Sequence, residues 1–174
     1  MRRILAPLAV LVLAGCVPQV TPPPPPAPAP RPLPAPAPAP SPTPTGDWRD
    51  WPLTPGDWSY RLAAGGSVSS FGVAGSDPAF TIRCDAAQRR VTLTRAGAVP
   101  GAPAMTIVTT STTRALPSRP GAGATMAAAL AATDPLLDAM GYSRGRFVVQ
   151  QAGLPVLVIP AWPEVERVTE DCRK

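Results

Sequence analysis

Two arginines flank a glycine in Tyr142-Ser143-Arg144-Gly145-Arg146-Phe147, the most site-like arrangement in the chain. Guanidinium forks beside free backbone N–H groups in a turn suit a carboxylate or phosphate, which makes Arg144 and Arg146 candidate binding residues. A helix C-terminus, where cations are favoured and glycine makes the turn, fits the same residues. A second set joins carboxylates to indoles: Asp47, Asp50 and Asp57 lie beside Trp48, Trp51 and Trp58. Such neighbours can line a sugar cleft, with Trp48 and Trp51 as its binding residues. A turn leading into a strand whose tryptophan joins the core explains them equally. Asp134 and Asp138, four residues apart on one helix face, could work as acid and base. Capping and dipole pairing at a helix start account for them as well.

Other chemistries are excluded by what the chain lacks. It has no histidine, so a Ser-His-Asp or Cys-His arrangement cannot be built, and its lone lysine is the last residue. With neither histidine nor a C-x-x-C pair, no metal site is expected. Gly121-Ala122-Gly123 lacks the Gly-Lys that completes a phosphate loop, and no cofactor is expected. The formal net charge of +5 includes Arg2, Arg3 and Arg31, all outside the expected folded region. The remainder is nearly balanced and gives no nucleic-acid footprint. No catalytic residue is assigned, and the chain reads as a non-enzyme.

The strongest signal lies at the start. Arg2 and Arg3 precede an apolar run, Ile4 to Val12, which ends in Leu13-Ala14-Gly15-Cys16. Charged, apolar and small-residue parts in that order make a secretory signal, residues 1–15, and the run is shorter than the ~20 apolar residues that span a bilayer. Leu-Ala-Gly-Cys resembles the lipobox of bacterial lipoproteins. The resemblance implies a diacylglyceryl thioether on Cys16, cleavage before it and acylation of the new N-terminus. It implies membrane attachment through lipid. Val17 stands where an aspartate would favour inner-membrane retention, so the outer membrane, facing the periplasm, is the expected address.

Residues 16–45 follow as a spacer holding more than half of the chain's 27 prolines, largely as Pro-Pro and Ala-Pro repeats. Proline lacks the amide donor and biases its neighbour toward extended geometry, so polyproline II is expected, at ~3.1 Å per residue and a reach of roughly 80 Å. With Cys16 lipidated, Cys84 and Cys172 remain. Two cysteines in an oxidising compartment allow one pairing. Cys84 follows Phe80 and Ile82 in alternation, and Cys172 shares a helical face with Val165 and Val168. A bridge from terminal helix to sheet follows, with two buried thiols as the alternative.

Residues 46–174 amount to one domain. Period-two alternation marks strands at Trp58-Tyr60-Leu62, Phe80-Ile82-Cys84 and Val91-Leu93, with β-branched Met105 to Thr110 and a weaker signal over Val68 to Val73. Arg146 to Gln150 and Leu154 to Ile159 flank a hairpin turn. Asp134-Pro135 reads as N-cap and first helical residue of a short helix. A second helix starts at Pro163, behind Trp162 as a lid, and pairs Arg167 with Asp171 and Glu170 with Lys174. Residues 125–132 fit helix or edge strand, and Pro117 to Gly123 fit a loop. The expected fold is mainly β, an antiparallel β-sandwich or open barrel with one short internal helix and a C-terminal helix.

The sequence therefore favours a non-catalytic structural or binding module of the cell envelope, with an envelope protein or the cell wall as partner. A carboxylate-dependent glycan hydrolase and a small-anion-binding module are the alternatives.

Overall fold

A computed structural model describes residues 44–174 of the chain. The signal sequence, Cys16 and the spacer as far as residue 43 lie outside the described residues.

Among the described residues, ten strands form two antiparallel sheets. The larger contains β1 (Asp57–Ala63), β2 (Gly66–Gly72), β3 (Phe80–Asp85), β4 (Arg90–Ala96), β8 (Thr125–Ala131) and β7 (Arg119–Pro120), in that spatial order. The smaller runs β10 (Leu157–Pro160), β9 (Arg146–Gln151), β5 (Met105–Val108), β6 (Thr113–Leu116). The arrangement is sandwich-like, with helix α1 (Pro135–Gly141) before β9 and helix α2 (Pro163–Asp171) at the C-terminus.

Short turns link consecutive strands of the large sheet. Between β1 and β2 the turn needs Gly65 at φ +77°, in the left-handed region that side chains disfavour. The turn from β3 to β4 is tied by the Asp85 carboxylate, which accepts the Gln88 N–H at 3.0 Å. Next to the first turn the backbones crowd: a Cβ added at Gly66 would lie 2.4 Å from the carbonyl oxygen of Cys84. Only glycine lets β2 approach there.

Register carries the alternation across strands. One transverse row of the inner face is Trp58, Phe71, Phe80, Arg95 and Met126; the next is Tyr60, Ser69, Ile82, Leu93 and Ala128. The small sheet covers part of this face, and Phe80 meets Phe147 edge-on at 6.1 Å between ring centroids. The helices join the same core through Leu136, Leu137, Met140, Val165 and Val168. Burying such a side chain is worth about 1.5–3 kcal/mol, so this shared core is the main stabilising element.

Cys84 and Cys172 are joined by a disulfide, with Cα atoms 5.4 Å apart and a sequence separation of 88. Both are essentially buried, and the bridge pins the end of α2 to β3.

Several expectations need correction. Residues 125–131, open between helix and edge strand in the sequence, form a strand, β8, set between β4 and β7, because pairing with β4 outweighs the helical preference of alanine. The loop at 117–123 contains the two-residue β7, and Thr113–Leu116 is a strand that no periodicity announced. Leu62 alternates with Trp58 but is 76 % exposed, because β1 is the sheet edge and the core ends before it. Trp162 occupies the N-cap position of α2 and is 42 % exposed. On α2 the pairs also differ. The Arg167 guanidinium sits 4.0 Å over the Tyr60 ring, and Lys174 pairs with Asp171 at 2.9 Å, because neighbouring β1 offers Arg167 an aromatic face.

Candidate functional site

Trp48, Trp51 and Arg146 converge on the outer face of the small sheet. Trp48 to Asp50 form a 3₁₀ turn capped by Asp47, whose carboxylate accepts the Arg49 N–H at 3.0 Å. That backbone hydrogen bond lowers the Asp47 pKa; desolvation opposes it, and the Arg49 side chain adds to the lowering. The turn places the Trp51 ring on Val148 and Val158, with Trp48, Val108 and Val156 packed around them. The Trp51 indole N–H donates to the Thr45 carbonyl at 3.2 Å. Thr54 completes the attachment, donating its N–H to Val158 O and accepting the Val158 N–H at its hydroxyl, both at 2.9 Å.

Arg146 belongs to this clamp. Its Nη1 donates to the Trp51 carbonyl, which directs the guanidinium across the sheet toward the chain start. Arg144, two residues earlier, is exposed and forms no ion pair among the described residues. Its backbone N–H donates to the Thr110 hydroxyl at 3.3 Å. Ser143 fixes the turn by donating to the Arg146 carbonyl at 2.5 Å and accepting the Thr110 N–H at 3.1 Å. The two arginines thus serve different ends and do not make one fork.

The carboxylates also part company. Asp134 caps α1 through the Leu136 N–H at 2.9 Å, and both its oxygens accept from Arg114 Nη2, at 2.7 and 2.8 Å. Burial opposes its ionisation, but Arg114 and the Leu136 amide together outweigh burial and lower its pKa. Asp138 takes both terminal nitrogens of Arg173, at 2.7 and 3.0 Å, and this pairing raises the arginine's pKa. Asp134, held in its ionised form by Arg114, is poorly placed to donate a proton. Near the tryptophans, Asp57 lines a cleft with Trp58, Ser70, Phe71 and the 73–76 loop, and it is the one carboxylate among the lining residues. The Trp58 indole N–H is taken up inside the fold, donating to Pro160 O at 2.8 Å. For a metal, the sulfurs of Cys84 and Cys172 are consumed in the disulfide, and Asp134 and Asp138 are tied to arginines.

Sequence reasoning missed Arg95. It continues the alternation Val91, Leu93, Arg95, and that position alone signalled an inward side chain. Arg95 is 1 % exposed, and Nη1 donates to Val149 O at 3.3 Å while Nη2 donates to Pro155 O. Among the described residues its Nε has no partner and no carboxylate pairs with it. Burial pushes its pKa down to about 10, leaving it cationic at neutral pH.

Comparison of the chain with protein-family models, curated proteins and solved structures returns no match.

Proposed function

We propose that this protein is an envelope lipoprotein, held by lipid on Cys16 at the outer membrane and facing the periplasm, whose folded part is a non-catalytic binding or structural module. The observation that carries the reading is Leu13-Ala14-Gly15-Cys16 directly after a charged and an apolar segment. The Cys84–Cys172 disulfide supports it, since such bonds persist in oxidising compartments. The engagement of Asp134 and Asp138 by Arg114 and Arg173 supports a role without acid–base chemistry.

The glycan-hydrolase alternative has less support. A pair of carboxyl groups roughly 5 to 9.5 Å apart flanks the scissile bond in such enzymes, and the cleft beside Trp58 offers Asp57 alone. The small-anion alternative retains the exposed Arg144, whereas Arg146 is half-buried and turns Nη1 to the Trp51 carbonyl, so the two guanidinium groups do not form one shared fork.

Fractionation of cells expressing wild type and Cys16→Ser tests the anchor. The wild type should sediment with membranes and carry an acylated N-terminal cysteine by mass, while the variant should be soluble. An unchanged membrane fraction would falsify lipidation.

A further inference from the structure

The outer face of the small sheet is covered by the Trp48–Trp51 segment, whereas the outer face of the large sheet bears no such cover among the described residues. Register sets what that second face displays. Ser59, Ser70, Thr81 and Thr94 are successive cross-strand partners in one row, and Arg61, Val68, Arg83 and Thr92 make the next. Arg119 on β7 pairs with Ala127, which continues the hydroxyl row. Strands lie about 4.8 Å apart, so Arg61 and Arg83, two strands apart, are separated by roughly 10 Å at the backbone.

Three features define what fits. Arg61, Arg83 and Arg119 are exposed and none forms an ion pair among the described residues; Arg83 spends Nη2 on the Ala64 carbonyl at 3.2 Å, which braces its guanidinium on this face. The apolar side chain between the first two, Val68, is only 3 % exposed, and the exposed large hydrophobics Leu53, Leu62, Val73, Tyr142 and Trp162 all lie elsewhere. Beyond the arginines the hydroxyl row opens into a trench of about 350 Å³, floored by Thr81, Thr94 and Ala96 between Asp77-Pro78 and Gly123. A flat face of cations, hydroxyls and small side chains offers little to an apolar protein surface or an inserted acyl chain. It matches an extended polymer bearing both hydroxyls and carboxylates: guanidinium forks pair with carboxylates, and Ser and Thr hydroxyls both donate and accept. Asp85, on this face opposite Arg90 and with one oxygen on the Gln88 N–H, and Asp77 in the trench wall are acceptors suited to sugar hydroxyls.

We propose that the outer face of the large sheet binds the cell-wall glycan through the carboxylates of its peptide substituents, gripped by Arg61, Arg83 and Arg119, with the sugars along the Ser59–Thr94 row. This rests on the envelope address proposed above and names the partner class.

Co-sedimentation of detergent-solubilised full-length protein with purified insoluble cell-wall sacculi tests it. Wild type should bind, with affinity falling steeply as salt rises from 50 to 300 mM. The triple variant Arg61→Gln, Arg83→Gln, Arg119→Gln should bind at least tenfold more weakly at unchanged melting temperature, and the corresponding triple lysine variant should retain most of the binding. Wild type that fails to sediment at low salt, or a glutamine variant that sediments like wild type, overturns the proposal. Equal binding to anionic phospholipid vesicles, abolished by the same substitutions, also overturns it by assigning the face to phosphate headgroups. The address fails separately: a protein soluble in cells with or without Cys16 that still binds sacculi through these arginines refutes the anchor and leaves the binding face standing.

Discussion

Arg95 reaches from β4 across the interior of the sandwich and donates to the backbone carbonyl of Val149 on β9 at 3.3 Å. The two residues belong to different sheets, so this hydrogen bond ties the layers together where Phe80 and Phe147 also meet. A buried cation without a carboxylate is costly, and the carbonyls of Val149 and Pro155 are what compensate it.

Replacing Arg95 by alanine should destabilise the fold by about 3 kcal/mol or more, through a cavity and two stranded carbonyls at about 1–3 kcal/mol each. Arg95→Met fills much of the volume and removes the charge, so it should fall between alanine and wild type. Urea unfolding of the three proteins measures this. Full stability in the methionine variant would mean that the hydrogen bonds contribute nothing beyond space filling.

Loss of the disulfide should cost about 4 to 5 kcal/mol in the chain-entropy model for a loop of this length. Cys84→Ala with Cys172→Ala, or reduction of wild type, should lower the denaturation midpoint accordingly. The alanine pair should no longer respond to reductant. A stability loss below about 1 kcal/mol would show that the core holds α2 without the bridge.

Acid should act through Asp171. The Tyr60 hydroxyl donates to it at 2.5 Å and Lys174 pairs with it at 2.9 Å, and these two contacts hold its pKa at about 2 instead of 3.8. A depressed folded pKa stabilises the protein above the unfolded value, and that stabilisation is lost as pH falls from about 4 toward 2. Melting temperature should therefore drop across this window, and Tyr60→Phe should make the drop shallower. Identical pH profiles for wild type and Tyr60→Phe would contradict the link.

Arg146→Ala should loosen the chain start without unfolding the core. It removes the donor to the Trp51 carbonyl, one of the contacts that fix residues 45–54 to the small sheet. Amide exchange at Thr54, whose N–H bonds to Val158 O, should accelerate about tenfold, while β3 and β4 amides keep their protection. Uniform loss of protection would mean that the clamp is part of the global fold.

Much of the fold was legible because burial in a strand or helix leaves a local period. Phe80, Ile82 and Cys84 announced β3, Asp134-Pro135 announced the capped start of α1, and Cys172 shared its helical face with Val165 and Val168. β6 left no such mark: its pattern over Thr113 to Leu116 mixes polar and apolar residues, and β5 supplies its register. Arg167 and Lys174 were misassigned for a related reason. Helical spacing shows which neighbours are possible on α2, but the aromatic ring beside it comes from β1, over a hundred residues earlier.

The sequence by itself determined the two inward cysteines, most of the strands, the absence of histidine chemistry and the lipobox-like start, since each follows from residue type and short-range spacing. Only the tertiary structure decided that Arg146 grips Trp51, that Arg114 and Arg173 take up Asp134 and Asp138, and that Arg61, Arg83 and Arg119 share one open face. Partners joined by long loops carry no common local period. Which of several arginines meets a given carboxylate or carbonyl is fixed only when strand register and sheet packing set the distances.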